Sequence, residues 1–164
     1  EEATPNPINV YGKTKLEAEK LCEEYQKNHG LGVLILRTFN VIGKGQREGL
    51  LLPDILRQID SGRVNVTNLH SKRDYIDIKD LVDLLFLAGK INIKNRTYNV
   101  GSGISYSVND ILKNLRKYKE FDVISKESYG PVMDVVADIT GIKEETGWIP
   151  KVNLDNSIKN IISE

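Results

Sequence analysis

Val33-Leu34-Ile35-Leu36 is an apolar run with no polar position inside it. An unbroken run of this kind is typical of a parallel strand that is covered on both faces. The segment before it, Lys15 to Asn28, has apolar residues at roughly helical spacing, and Gly30 suits the left-handed position after a helix end. The apolar positions of that segment are Leu16, Leu21, Cys22 and Tyr25. A helix followed by a buried strand predicts an α/β fold.

Downstream, helices with one apolar face alternate with short strands. The predicted strands are Val64–Val66, Thr97–Val100 and Phe121–Ser125. The predicted helices are Leu50–Asp60 and those that begin near Asp77, Ser107, Asp138 and Asp155. The helix after Asp77 is expected to bury Leu81, Leu84, Leu85 and Ala88. Trp148 is expected in the core.

Composition excludes several classes of protein. The chain has 164 residues, 23 basic and 23 acidic, so its formal net charge of zero offers no overall field for nucleic acid or an anionic membrane. A single cysteine, Cys22, cannot form an internal disulfide, and no apolar stretch has membrane-spanning length. The two histidines, His29 and His70, have no ligand cluster around them, so no metal site is expected. These features predict a soluble, cytoplasmic domain.

Tyr11-Gly12-Lys13-Thr14-Lys15 places a phenol and an ammonium group four residues apart at the opening of the predicted helix. At that spacing both side chains lie on one face, one turn apart. An ammonium group beside a phenol stabilises the phenolate, so the phenol becomes a better proton acceptor. Tyr11 is therefore a candidate acid/base. The alternative is a helix that carries an aromatic and a basic residue by chance.

Two polar residues downstream are candidates for contact with a ligand. Asn40 follows the buried strand, beyond the carboxyl end where open parallel sheets bind ligands. Arg73 lies in an extended approach to a helix, and its planar guanidinium matches phosphate. A surface ion pair between Arg73 and Asp74, or another acid, is the alternative. The basic loop Gly43–Gly49 is interpreted equally well as a solvated connection or as a phosphate contact.

Five segments in order, taken together, resemble the NAD-dependent epimerase/dehydratase family, the extended short-chain dehydrogenases that act on nucleotide sugars. The segments are Asn6–Glu17, Arg37-Thr38-Phe39-Asn40, Arg73-Asp74-Tyr75-Ile76 with Asp80-Leu81, Tyr98-Asn99-Val100-Gly101 and Gly147-Trp148-Ile149-Pro150. The resemblance implies the C-terminal part of a Rossmann-like, doubly wound parallel sheet plus a small α+β substrate-binding lobe. Residues 1–41 and 72–103 would close the NAD-binding domain, and residues 42–71 and 104–164 would form the lobe.

The same resemblance implies roles for the candidate residues. Tyr11 matches the acid/base that deprotonates a sugar hydroxyl, and Lys15 matches the residue that holds the cofactor ribose. Both would contact NAD, with NADP as the alternative. Asn40 and Arg73 match contacts to the substrate, Arg73 to the nucleotide diphosphate. Similar family members pair as homodimers through the helix that corresponds to residues 15–28.

The chain departs from the family pattern at two places. The family normally opens with a strand and a glycine-rich turn that receives the cofactor pyrophosphate, and neither this turn nor the Ser or Thr partner of the tyrosine is found before Tyr11. The isolated chain is therefore expected to be inactive. Where many members have Arg-Pro-Gly-Asp, this chain has Ser128-Tyr129-Gly130-Pro131. The alternatives to a nucleotide-sugar epimerase or dehydratase are a sugar-nucleotide reductase of the dehydrorhamnose type and a non-catalytic subunit that keeps the fold.

Overall fold

The computed structural model describes residues 4–91, 93, 97–126 and 132–163. Along this part of the chain, single helices alternate with pairs of consecutive strands, and two consecutive helices come last. The strands are β1 (Ile35–Thr38), β2 (Asn40–Ile42), β3 (Arg63–Thr67), β4 (Lys72–Asp77), β5 (Thr97–Val100), β6 (Ser105–Ser107), β7 (Asp122–Lys126) and β8 (Asp134–Val135). The helices are α1 (Val10–His29), α2 (Leu51–Ile59), α3 (Ile78–Ala88), α4 (Val108–Leu115), α5 (Thr140–Thr146) and α6 (Leu154–Ile162). The fold is α/β, as predicted.

The chain changes partners at Phe39, between two parallel strand pairs. Strand β1 pairs with β5, with Ile35 opposite Thr97, and Phe39 N donates to Val100 O at 2.8 Å. One residue later β2 pairs with β4 instead, with Asn40 opposite Tyr75. Strand β4 also pairs with β6 and β8. Residues 35–42 therefore run first along β5 and then along β4.

A third parallel pair, β3 and β7, lies with three helices around the larger apolar core. Strand β3 alternates between exposed and buried residues, so one face of the pair packs inward. Helices α2, α4 and α6 place their apolar faces on it. The smaller core lies between α3, α5 and the β4 and β5 strands, and it contains Ile76, Leu84, Tyr98, Val100, Ile142 and Trp148. In the part of the chain that is described, no helix is long and apolar enough to cross a membrane.

Three acidic residues in the segment from β4 to α3 are buried, and their carboxylates accept hydrogen bonds from residues that are distant in the sequence. Asp74, Asp77 and Asp80 are all at most 5% exposed. Asp77 caps α3 by accepting from Lys79 N and also accepts from Ser157 Oγ at 2.6 Å. The Asp80 carboxylate accepts from Lys151 N and Val152 N.

The Asp74 carboxylate accepts four hydrogen bonds. One oxygen, Oδ1, accepts from Ser102 N and Ser102 Oγ, both at 2.7 Å. The other, Oδ2, accepts from Gly103 N at 2.9 Å and Ala137 N at 3.1 Å. Gly101 must be glycine here, because an added Cβ would lie 2.6 Å from Asp74 Oδ2 and 2.5 Å from Ala137 Cβ. One carboxylate thus joins β4 to the turn after β5 and to the segment before α5.

Most predicted elements are confirmed within about two residues. Strand β5, the start of α4 after Ser107, the left-handed conformation of Gly30 and buried Trp148 are all observed. The boundaries of the two domains are not tested by this fold and stay a prediction.

Four details of the predicted elements are wrong. Strand β1 begins at Ile35 rather than Val33, because its register is set by pairing with Thr97–Val100. On α3, Leu85 is 53% exposed, and Leu87 packs on the core instead. Helix α6 begins one residue earlier, with Asn153 as its cap. Ile139 rather than Asp138 occupies the N-cap position of α5, although Asp138 accepts from Thr140 N.

Replacing Asp74 by Asn should destabilise the protein by about 2–4 kcal/mol. Each carboxylate oxygen accepts two hydrogen bonds, so in either orientation the amide turns its NH₂ group toward two of the present donors, at least one of them a backbone N–H that cannot accept. Urea unfolding should show a lower midpoint with an unchanged m value. The matched control is Asp83→Asn on the exposed side of α3. Equal midpoints for the two variants would contradict this assignment of Asp74.

Candidate functional site

Tyr11 and Lys15 occupy the first turns of α1. Asn9 caps the helix, with its side-chain oxygen accepting from Gly12 N at 2.8 Å. Capping at Asn9 fixes the helix start so that Tyr11 lies in the first turn and Lys15 lies one turn later. The Lys15 ammonium nitrogen lies 5.4 Å from the centroid of the Tyr11 ring. The structure therefore brings the predicted phenol and ammonium groups together.

Both side chains line a cleft between α1 and β1. The cleft has a volume of about 550 Å³ and is lined on the helix side by Tyr11, Lys15, Ala18, Glu19 and Cys22. Residues Leu34–Thr38 form its other wall. The Tyr11 side chain is open to solvent, since the residue is 71% exposed. In the described residues Lys15 forms no ion pair, so its charge can face a ligand.

An ion pair links the two walls of this cleft. Arg37 of β1 donates from Nε to Glu19 Oε1 at 2.8 Å and from Nη2 to Glu19 Oε2 at 2.6 Å. Both side chains are largely shielded, at 31% exposure for Arg37 and 19% for Glu19. The hydrogen bond from Arg37 lowers the pKa of Glu19, and burial opposes this effect. Two parallel charge-assisted hydrogen bonds fix the relative orientation of helix and strand.

Asn40 and Arg73 lie on neighbouring strands at a second location. Asn40 opens β2, and its Nδ2 donates to Asp74 O at 2.9 Å. Arg73 directly precedes Asp74 on β4. Its Nη1 donates to Lys72 O at 2.8 Å, and its Nη2 lies 3.6 Å from Met133 Sδ. Backbone pairing thus brings these two predicted residues together on one sheet. Thr38, which lines the cleft of Tyr11, is two residues from Asn40.

The alternative interpretation of Arg73 as the ion-pair partner of Asp74 is wrong. The Asp74 carboxylate is fully buried and is satisfied by Ser102, Gly103 and Ala137. Successive residues of a strand point to opposite faces, so Arg73 and Asp74 diverge. Arg73 instead faces the same side as Tyr75, whose pKa is raised by burial while the Arg73 charge partly lowers it.

Two features of this region were missed by reading the sequence. The Glu19–Arg37 pair spans 18 residues, and a helix surface with many acids gives no signal as to which one binds Arg37. The buried role of Asp74 was also missed, because the residues that donate to its carboxylate lie 28 to 63 residues later in the chain. The departure from the family pattern at Ser128–Pro131 lies outside the described residues. Among the residues that are described, no group of three or more metal-binding side chains is present.

Comparison with known proteins extends these observations. The model of the NAD dependent epimerase/dehydratase family matches residues 1–101. GDP-6-deoxy-D-mannose reductase of Pseudomonas aeruginosa is 26% identical over 100% of this chain and 58% of its own length. UDP-glucose 4-epimerase of Lactobacillus helveticus is 32% identical over 96% of this chain and 56% of its own length. The chain therefore spans somewhat more than half the length of these two relatives.

Solved structures agree with this result. RMD from Pseudomonas aeruginosa, complexed with NADPH, has a TM-score of 0.91 at 26% identity and matches 99% of this chain and 58% of its own. UDP-glucuronic acid 4-epimerase from Bacillus cereus, in complex with UDP-glucuronic acid and NAD, has a TM-score of 0.86 at 26% identity. It matches 98% of this chain and 54% of its own. The α/β arrangement seen here is thus shared with Rossmann-like proteins that hold these ligands.

Proposed function

Because the chain belongs to the NAD dependent epimerase/dehydratase family, we propose that the complete protein is an NAD(P)-dependent enzyme that acts on a nucleotide sugar. Epimerisation is the reaction we favour. The observation that carries the proposal is the Tyr11–Lys15 pair, which lines an open cleft with the ammonium group 5.4 Å from the phenol ring. A cleft of about 550 Å³ lies within the size range of small-molecule sites.

Tyr11 is the proposed acid/base. Its phenol oxygen would take the proton of a sugar hydroxyl while that carbon is oxidised, and would return a proton when the carbonyl is reduced again. Exposure of the ring at the mouth of the cleft supports this role, since a substrate hydroxyl must reach the phenol oxygen. Lys15 would stabilise the negative charge on that oxygen during the transfer.

The residues present fit the ribose end of a dinucleotide. The Lys15 ammonium group offers three donors for ribose hydroxyls, and it has no ion-pair partner among the described residues. When bound, NAD(P) would supply the hydride acceptor and donor, which no amino-acid side chain can provide. The chain's own contribution is to orient the sugar hydroxyl and to move its proton through Tyr11.

Asn40 and Arg73 are the proposed substrate contacts. Asn40 is anchored through Nδ2 to Asp74 O, and its amide oxygen can accept a hydrogen bond from the substrate. Arg73 contacts Lys72 O and Met133 Sδ, and both of these atoms are uncharged. Neither contact therefore offsets the positive charge that the guanidinium can present to a diphosphate. Both residues lie on paired strands, which keeps their spacing fixed.

A reductase is the second candidate, because a GDP-6-deoxy-D-mannose reductase is 26% identical over the whole chain. The two reactions differ in their electron balance. An epimerase returns the hydride to the sugar and consumes no cofactor, whereas a reductase oxidises one NAD(P)H for each ketosugar reduced. Interconversion of UDP-glucose and its 4-epimer without added NADPH would support the epimerase. Stoichiometric loss of NADPH absorbance with a 4-ketosugar nucleotide would support the reductase.

Replacing Tyr11 by Phe in the complete protein should lower turnover of the nucleotide sugar by roughly 10²–10⁴-fold, the usual loss of a general acid or base. The change removes one exposed hydroxyl, so the unfolding midpoint should stay near that of the parent. The matched control is Tyr25→Phe, which makes the same change on the same helix outside the cleft. Turnover within a few-fold of the parent would rule out the acid/base role.

The isolated chain of 164 residues should bind NAD no more tightly than about 1 mM and should not turn over substrate. Tight binding requires backbone amides that receive the pyrophosphate. The glycine turn at Gly101–Gly103 does not offer them, because Ser102 N and Gly103 N both donate to Asp74. Calorimetry with NAD measures this directly, and micromolar binding at one site per chain would refute it.

We further expect the complete protein to be a homodimer that pairs through residues 15–28. On α1, Leu21 and Tyr25 are each 55% exposed, although Leu16 and Cys22 of the same helix are half-buried. An exposed apolar stripe of this kind is a suitable surface for a second helix. Light scattering should give the dimer mass for the parent and the monomer mass for the double variant Leu21→Lys, Tyr25→Lys. A monomeric parent at micromolar concentrations would contradict the expectation.

A further inference from the structure

Within the described residues, helix α1 has few contacts with the sheet. None of its residues is fully buried, and Gly12, Leu16, Glu19, Cys22 and Gln26 are only half-buried. Helices in globular proteins usually owe their position to an apolar face packed on the core. Within the described residues the apolar contact beneath α1 is small, so directional contacts make up much of what joins α1 to β1 there.

The Glu19–Arg37 pair is such a contact. It joins the middle of α1 to the centre of β1 through two hydrogen bonds of 2.8 and 2.6 Å. Arg37 is itself fixed, because β1 pairs with β5 at Asn99. A bidentate guanidinium–carboxylate pair restricts both distance and angle, which a single ammonium contact does not.

Glu19 also lies on the face of α1 that carries the candidate acid/base. Tyr11, Lys15 and Glu19 are successive residues at intervals of four, so they lie one above the other along the helix. Lys15, Glu19 and Arg37 together line both the cleft of about 550 Å³ and a smaller one of about 260 Å³ beside it. A shift of α1 against β1 would therefore move Tyr11 and Lys15 with it.

We propose that Glu19 and Arg37 are positioning residues, whose ion pair sets the placement of Tyr11 and Lys15 against β1 and thereby the rate of the proton transfer. This inference rests on the function proposed above. Neither side chain needs to touch the substrate, because Glu19 has both carboxylate oxygens engaged by Arg37. The lowered pKa of Glu19 agrees with a carboxylate that stays ionised at neutral pH.

The test compares three variants of the complete protein loaded with NAD. Glu19→Gln keeps the volume and removes the charge, and Arg37→Lys keeps the charge but not the bidentate geometry. The control is Glu144→Gln, the same change at an exposed residue of α5, which lies outside both the cleft and residues 15–28. Turnover is measured with UDP-glucose and UDP-glucuronic acid and is expressed per NAD-loaded site, so that loss of folded protein does not lower it.

A second readout is independent of activity. Cys22 lies one turn after Glu19, is half-buried and lines the same cleft, so its alkylation rate reports whether α1 stays against β1. Mass spectrometry of the peptide that contains Cys22 gives this rate even if the complete protein contains other cysteines. Movement of the helix should raise the rate several-fold.

The expected result is a graded loss. For Glu19→Gln, kcat should fall by about 10–100-fold, the usual effect of displacing a catalytic group by about 1 Å, with little change in KM. Arg37→Lys should lie between this variant and the parent. Alkylation of Cys22 should rise in the same order, and Glu144→Gln should match the parent in both readouts.

Values of kcat for Glu19→Gln and Arg37→Lys that match the Glu144→Gln control would overturn the inference. If the parent turns over neither nucleotide sugar, the proposed function fails for these substrates, and the alkylation of Cys22 still decides whether the pair holds the helix. An unchanged alkylation rate in Glu19→Gln would then overturn the inference. If Arg37→Lys does not fold, the isosteric Glu19→Gln variant carries the comparison.

Discussion

The buried carboxylate of Asp74 is the interaction on which the arrangement of the strands depends. A carboxylate removed from water is costly unless hydrogen bonds replace its hydration, and Asp74 receives four of them. Three of the four donors are backbone N–H groups from the turn after β5 and from residue 137. Asp77 and Asp80 repeat this device, toward Ser157 and toward the amides of residues 151 and 152. The segment from β4 into α3 thus binds four segments that are distant in the sequence, at residues 102–103, 137, 151–152 and 157.

This network explains why the two parts of the candidate site differ in how firmly they are held. Asn40 lies on β2, which pairs with β4, and Arg73 lies on β4 itself next to Asp74; each donates to a main-chain oxygen of β4. Tyr11 and Lys15 belong to a helix with no fully buried residue, and the Glu19–Arg37 pair is its bidentate link to β1. Within the described residues, the proposed substrate contacts are therefore fixed by the sheet, whereas the proposed acid/base lies on a helix joined to β1 by the Glu19–Arg37 pair and a small apolar contact.

The sequence predicts elements well where a local physical rule decides them. The start of α4 after Ser107 and the left-handed glycine after α1 depend only on neighbouring residues, and both are observed. Details decided by distant partners were missed. The register of β1 depends on β5, and β2 was not predicted because its pairing with β4 cannot be seen in three residues. The outward direction of Leu85 is also decided by distant partners. Both faces of α3 carry apolar residues, so the sequence alone does not show which face packs on the core.

The candidate site shows the same division. The Tyr11–Lys15 pair follows from helical spacing alone, whereas the ion pair beside it and the burial of Asp74 require tertiary structure. The most direct test of the account is a crystal structure of the complete protein with NAD and an unreactive nucleotide-sugar analogue. We predict the Tyr11 phenol oxygen at about 2.6–3.2 Å from the reacting sugar hydroxyl, with the Lys15 ammonium group on the cofactor ribose. A sugar bound with its reacting hydroxyl nearer to another acid or base, and Tyr11 turned toward solvent, would contradict the account.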